Sequence, residues 1–464
     1  VTIPSMPIPR RLLALSLTCA LSLTPLASAQ TLARPGWAGS GMSTDVWWKH
    51  AVVYQVNPAN FSPASSPATD TAATTSASPL HGLTQRLDYI QSLGVDAILL
   101  TPIQPDADHP QEINPALGAS DDLDDLIHES SRRNIRVLLD LDPKIPNDTL
   151  SNVARFWLNR GIAGFHIVGG TDNAHAQAAI VRKAASTFLG QRIVIADADP
   201  TLPTDPRQRT YSPPDSSTAP QLFLDARPGT PDKLTASLIR PAIDTTQDIL
   251  QAGHTLPLLA TDGPALTRSI SRYADGQHDL AIAKVLATIL FATRGETLLY
   301  YGQELGVPTP ETSPLIVWDA PPPPAKGKPA PAPAEYDKSV PPNAALQDAD
   351  PSSLLNWYRQ LSSLHHGNAT IANGQNITIN QDDKNVLVWI RKPQGTSPLT
   401  PPLVIICNLT AQPVNLSLKA DIVRLHLRGS FLRTVLRSDK GMGTMHLESM
   451  TIAPYASYIG ALRF

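Results

Sequence analysis

Short apolar runs recur along the chain, separated by segments whose apolar residues repeat at helical spacing. The runs are Ala51–Val56, Val95–Ile103, Ile135–Leu141, Gly164–Val168, Arg192–Ala196, Gln221–Leu224, Pro257–Ala260 and Thr297–Tyr301. Strand-like runs alternating with helix-like segments argue for a parallel α/β arrangement, and eight of them are what a (β/α)8 TIM barrel requires. Leu83, Leu87, Ile90 and Leu93 predict a helix that ends at Gly94 as its C-terminal cap. Ser120 is expected to be an N-cap, with Asp121 and Asp122 in a first turn where the helix dipole favours acids. Ala281–Ala292 is nearly all apolar and predicts a buried helix, and Pro351–His366 reads as the last helix of the barrel. Thr201–Ala219 is rich in Pro and Ser and predicts no helix.

From about Asn368 the helical period stops. Val386–Ile390, Leu403–Asn408 and Val414–Leu418 alternate or run apolar like strands, so a C-terminal antiparallel β domain, a β-sandwich over residues 368–464, is expected after a barrel over residues 44–367. Two low-complexity stretches interrupt the pattern. Ser62–Ser78 reads as a flexible surface loop, and Pro321–Pro342 as an extended polyproline spacer, with partner binding the alternative. No internal repeat is evident.

Composition refines this picture. The chain has 464 residues, 42% hydrophobic and 17% charged, enough for one large domain with a sizeable core and a smaller one. Its 45 prolines imply ordered turns and stiff linkers. A net charge of −3 without a long basic run points away from nucleic acid and anionic membranes as partners. Residues 1–29 read as an export signal: Arg10 and Arg11 precede the apolar run Leu12–Leu23, and Ala27-Ser28-Ala29 is an A-x-A cleavage site. The expected product is secreted or periplasmic, with no membrane span after cleavage, because no other run approaches the ~20 apolar residues a span needs. Cleavage would remove Cys19 and leave Cys407 alone, so no internal disulfide is expected.

Trp47–Val56, Leu87–Ile98, Phe156–Val168, Leu298–Gly306 and Asp348–Tyr358, taken in this order, resemble segments of the α-amylase family (glycoside hydrolase family 13, α-glucosidase or oligo-glucosidase type). Trp47-Trp48-Lys49-His50-Ala51-Val52-Val53-Tyr54-Gln55-Val56 is similar to the family's opening strand, and Leu87–Ile98 to its first helix and second strand. Phe156–Val168 resembles the helix and strand that deliver the nucleophile, Leu298–Gly306 the eighth strand and its loop, and Asp348–Tyr358 the helix that follows. The resemblance runs from about Trp47 to the C-terminus. It implies an α-amylase-type barrel with a C-terminal antiparallel β domain, and catalytic residues at the carboxyl ends of strands.

Carried over residue by residue, that pattern is largely altered. In the third-strand motif Asp140 matches a substrate-site Asp, but Ile145 stands where the family has a His. In the fourth, Gly-Phe-Arg-x-Asp has become Gly164-Phe165-His166-Ile167-Val168, which loses both the Arg and the nucleophile. A retaining glycosidase needs two carboxyl groups flanking the sugar, one of which attacks the anomeric carbon, and valine cannot attack. The fifth-strand general acid, normally Glu, aligns with the shorter Asp197. The seventh-strand Asp aligns with Asp262, or with Ala265 when the downstream Arg268-Ser269-Ile270-Ser271-Arg272 sets the register. The B domain is largely absent after the third strand, and a shortened loop after the second leaves Asp106 as the remnant of a substrate-contacting pair, so an open groove is expected.

Blander roles compete at each position. Asp197 and Asp262 could be ordinary polar residues at strand ends, and His166 a packed histidine. His365-His366 would place positive charge at a helix C-terminus. Gly169-Gly170 lacks the Lys-Ser/Thr of a phosphate loop, and Asp121, Asp122, Asp124 and Asp125 read as a solvated helix face, so neither a metal nor a cofactor is implied. Trp47 and Trp48 could stack on sugars or simply pack. The resemblance thus implies a secreted family member with little or no hydrolysis, in a carbohydrate-binding or scaffold role toward an α-glucan or oligosaccharide. The alternatives are a slow α-glucoside hydrolase or transferase using Asp197 and Asp262, with Asp140, Asp106 and His166 contacting substrate, and a non-catalytic partner subunit of a second protein.

Overall fold

Eight parallel strands close on themselves in the order β1 to β8: β1 (Val52–Val56), β2 (Ala97–Leu100), β3 (Arg136–Leu141), β4 (Gly164–Ile167), β5 (Ile193–Asp197), β6 (Leu222–Asp225), β7 (Leu256–Leu259) and β8 (Glu296–Tyr300). The computed structural model describes residues 46–61, 78–169, 172–197, 218–252, 256–309, 315–319, 341–395, 397 and 400–464. The expected export signal, nearly all of Ser62–Ser78, residues 201–217 and residues 321–340 lie outside the described residues.

Side-chain parity builds the barrel. Alternate strand residues point inward, and Val53, Leu99, Leu138, Ile193, Ile195, Leu222, Leu258 and Leu298 form one buried interior cluster. Their neighbours Val52, Tyr54, Ile98, Leu139, Phe165 and Val194 belong to a second cluster, shared with the surrounding helices. Space inside is tight at Gly164, where an added Cβ would lie 2.3 Å from the carbonyl oxygen of Ile193 on β5. Trp47 and Trp48 meet edge-to-face, with centroids 6.1 Å apart, and pack against the interior cluster from just before β1. They therefore close the amino end of the barrel, away from the carboxyl ends where the acids lie.

Three helix expectations need correction. Leu83 to Leu93 belongs to two helices, Pro79–Gln85 and Leu87–Ser92, separated by Arg86 at φ −98°, ψ 7°. The apolar stripe survives the break because Leu83, Leu87, Ile90 and Leu93 are all buried. Ser120 is the first residue of helix Ser120–Arg132 and Ala119 is the N-cap; the Asp122 carboxylate reaches back to accept the Ala119 N–H at 2.8 Å. His365, in helix Leu354–Gly367, is not a solvated positive charge: it is buried, its Nδ1 lies 3.1 Å from the Phe291 carbonyl, and burial together with His366 pushes it down to about 3.

The link from β3 to its helix is short. Only Asp142–Pro146 separate Leu141 from helix Asn147–Arg160, which takes Asp148 into its first turn. The loop between strand and helix therefore leaves no room for a B domain.

Beyond the barrel, β9 (Gln375–Ile379), β10 (Val386–Lys392), β11 (Leu403–Asn408), β12 (Val414–Leu416), β13 (Phe431–Arg437), β14 (Met445–His446), β15 (Met450–Ile452) and β16 (Ser457–Arg463) form two sheets. One has six strands in the order β14-β13-β16-β11-β10-β9, and β12 pairs with β15 in the other. One face of the larger sheet, with Leu387, Trp389, Ile405 and Cys407, joins the barrel's helix-side core; the other, with Val386, Val388, Val404 and Ile406, packs on Leu416, Leu418 and Ile452. Trp389 Nε1 and Arg391 donate to the Ala292 carbonyl at the end of the buried helix Asp279–Ala292, at 3.1 and 3.0 Å. Arg240 donates to the carbonyls of Asn380, Gln381 and Asp383 in the turn between β9 and β10. Barrel and sheets lie together in one unit, Val46–Phe464. Among the described residues no helix is long and apolar enough to cross a membrane.

Candidate active site at the carboxyl ends of the strands

The inward parity that builds the apolar interior also delivers polar groups two residues further along each strand. Leu138 leads to Asp140, Gly164 to His166, and Ile195 to Asp197. Because β3, β4 and β5 are neighbours with Asp140 paired to His166 and His166 to Ile195, the three side chains meet. His166 Nδ1 lies 2.8 Å from Asp140 Oδ1 and its Nε2 lies 3.0 Å from Asp197 Oδ1. The outer oxygens are engaged too. Gln55 Nε2, from β1, donates to Asp140 Oδ2 at 3.5 Å, and the Gly169 N–H donates to Asp197 Oδ2 at 2.5 Å. Gly169 makes that contact at φ +99°, in the left-handed region that glycine tolerates best.

Burial and charge oppose one another here. His166 and Asp140 are each 3% exposed, whereas the Asp197 side chain keeps 25% of its surface. Burial alone would disfavour a charged imidazole. The charge and hydrogen bond of Asp140, reinforced by Asp197, outweigh it and raise His166 to about 10. Burial likewise pushes the Asp197 carboxyl up, but the His166 contact and the Gly169 N–H bring it below the usual carboxylate range.

The other candidates are placed elsewhere. Asp262 is buried just after β7, where its carboxylate accepts the Ser269 N–H at 2.6 Å and the Ser269 hydroxyl at 3.1 Å, with an Arg272 nitrogen 3.8 Å away. Burial raises it, against those two hydrogen bonds. It thus holds the start of the short helix Ser269–Tyr273, while Ala265 lies exposed on the intervening loop. Asp106 is exposed in the loop after β2, where it accepts the Asp108 and His109 N–H groups and pairs with the His109 ring at 2.8 Å. Val168 follows the end of β4, half-buried. Among the described residues no group of three His, Cys, Asp or Glu side chains is placed to hold a metal ion.

Several residues of this region escaped the sequence reading. Gln55 was legible from parity, since it shares the inward face with Val53. Glu304 is fully buried and accepts the hydroxyls of Tyr54 at 2.8 Å and Tyr89 at 2.7 Å. Arg268 is 1% exposed, lies over the Tyr300 ring at 4.6 Å, and donates to the Tyr301 carbonyl at 2.8 Å. Nothing in periodicity marks these partners, which are far apart along the chain.

A closed eight-stranded barrel with acids at the carboxyl ends of its strands, followed by antiparallel sheets, defines a TIM-barrel protein with a C-terminal β domain. The family model for the α-amylase catalytic domain matches residues 55–149, which supports the resemblance to the α-amylase family, glycoside hydrolase family 13. It is 36% identical over 103 residues to the trehalose-6-phosphate hydrolase of Escherichia coli (strain K12), a match covering 20% of this chain and 17% of that protein. It is 25% identical over 371 residues to the amino acid transporter heavy chain SLC3A2 of Oryctolagus cuniculus, covering 71% of this chain and 63% of that one. The chain thus spans less than two thirds of the length of either relative. In fold it is similar to the crystal structure of Bacillus licheniformis trehalose-6-phosphate hydrolase, with a TM-score of 0.69 at 17% identity, covering 90% of this chain and all of that one.

Proposed function

We propose that this protein is a non-hydrolytic member of the α-amylase family, exported from the cell, that acts as a carbohydrate-binding or scaffold protein. The observation that carries the reading is the bridge of His166 between Asp140 and Asp197, beside a valine where the family has its nucleophile. Retaining hydrolysis needs one carboxylate to attack and a second carboxyl to donate a proton. Val168 supplies no attack, and an ionised Asp197 supplies no proton near neutral pH. An α-glucan or oligosaccharide is the ligand class that the hydrolase relatives suggest.

A second reading is favoured by one comparison. The long match to an amino acid transporter heavy chain supports a non-catalytic subunit that works through a protein partner. Sugar binding by the purified protein separates the two.

The deciding experiment is turnover of a panel of α-glucosides by the purified protein beside its Asp197→Ala variant. No turnover, or equal traces in both, is expected. Turnover that disappears in the variant would overturn the non-hydrolytic reading and make Asp197 the acid of a working site.

A further inference from the structure

The polar cluster contains two carboxylates and one imidazole, and each of its four carboxylate oxygens and two ring nitrogens has a hydrogen-bond partner. Asp140 Oδ2 accepts from the Gln55 amide at 3.5 Å and Asp197 Oδ2 accepts from the Gly169 N–H, so both outer oxygens act as acceptors. Each inner oxygen faces one ring nitrogen of His166, at 2.8 and 3.0 Å. Two contacts of this kind need two protons, one between each nitrogen and its oxygen. With His166 and Asp140 each 3% exposed, bulk water has little access to serve as an intermediate partner.

We propose that His166 is a built-in cationic ligand of the barrel mouth, holding Asp140 and Asp197 as paired carboxylates and fixing Asp197 as an acceptor with no proton to give. Resting on the non-hydrolytic reading, this makes His166 a positioning residue that acts through Asp197. The site is then silenced twice, by independent means. Val168 removes the attacking group, and His166 removes the acid. A carboxylate restored at position 168 would still face a fifth-strand acid that is already ionised and bonded.

The test is nuclear magnetic resonance of the full chain labelled with 15N in its 12 histidines, as wild type, His166→Gln and Asp197→Asn. One histidine, missing from the His166→Gln spectrum, should carry protons on both ring nitrogens from pH 5 to 8.5. In Asp197→Asn the same ring should lose its proton at least one pH unit lower, a tenfold drop in proton affinity, with the thermal unfolding transition retained. If His166→Gln does not fold, the ring is identified as the one that Asp140→Asn shifts. A His166 ring that is neutral at pH 8, or whose titration Asp197→Asn leaves in place, would overturn the proposal. Its failure is distinct from that of the functional reading. A neutral His166 in an inactive protein refutes only the bridge, whereas Asp197-dependent hydrolysis refutes the silence itself.

Discussion

Replacing His166 by alanine removes the cation from a nearly closed site and leaves Asp140 and Asp197 facing each other. The contact to Asp140 joins two side chains that are each 4% exposed, so solvent screens it little. A rise of the histidine from 6.5 to about 10 corresponds, at about 1.4 kcal/mol for each tenfold in proton affinity, to a ceiling of ~5 kcal/mol. Asp197 keeps 25% of its side-chain surface and can turn toward water in the variant, which lowers the expected loss to ~3 kcal/mol, within the range for breaking one partner of a buried pair. The pH dependence has a definite sign. The histidine is raised in the folded state, so its contribution is complete below about 6.5 and disappears as pH rises through about 10. Asp197 is depressed, so its share is present above its ordinary value of 3.8 and is lost as pH falls below it. The gap between wild type and His166→Ala should therefore be widest at about pH 4–6.5 and close by about pH 10. Urea unfolding followed by tryptophan fluorescence at pH 6, 8 and 9.5 reads this as a change in midpoint at unchanged slope. A gap below about 1 kcal/mol at pH 6, or one that stays constant from pH 6 to 9.5, would refute the buried-cation argument.

Gly164→Ala would bring a Cβ to 2.3 Å from the Ile193 carbonyl and force β4 away from β5. Thermal unfolding should show a loss of ~2–3 kcal/mol, in the range for overpacking. Glu296 is raised to about 8, mainly by burial and against the His50 N–H it accepts at 2.9 Å. Its effect is therefore to lower stability as pH climbs from 4.5 to 8, so Glu296→Gln should melt higher than wild type at pH 9 and nearly level with it at pH 4. Arg391 is fully buried between the Ala292 and Ile371 carbonyls, and burial lowers it to about 9. Arg391→Ala should cost ~3 kcal/mol in urea unfolding, while Arg391→Met, which refills the space without a charge, should recover more than half of that.

The eight barrel strands were readable because each is a compact apolar run, and the structure places every one within three residues of its expected ends. Two C-terminal strands, Val386–Lys392 and Leu403–Asn408, were as plain for the same reason. β13 was missed because its pattern is broken: Arg433 and Arg437 sit among half-buried residues, and a bulge interrupts its pairing with β16 between Thr434 and Leu436. β14 and β15 are too short to show a period. The site was legible in part. Strand ends and the family pattern pointed to Asp140, His166 and Asp197, but what joins them is a matter of register across three strands, which no local pattern encodes. Asp262 depends on distant contacts in the same way. Its alignment offers it as a site acid, and its partners, Ser269 and Arg272, lie in a helix whose position depends on the intervening loop.

Separation into layers lets such a barrel keep its fold when residues at its mouth are substituted. The interior cluster of Val53, Leu99, Leu138, Ile195, Leu258 and Leu298 is apolar and sits one inward step below the polar residues, so substitutions at the mouth leave it untouched. At the mouth itself the constraint is charge. Asp140 is buried and Asp197 half-buried, and His166 is the group that meets both. A third acid at position 168 would gain no contact from His166, since both ring nitrogens are already engaged. Valine there is therefore consistent with the bridge: with the imidazole bound to the two acids, an apolar residue two positions further along costs less than another carboxylate.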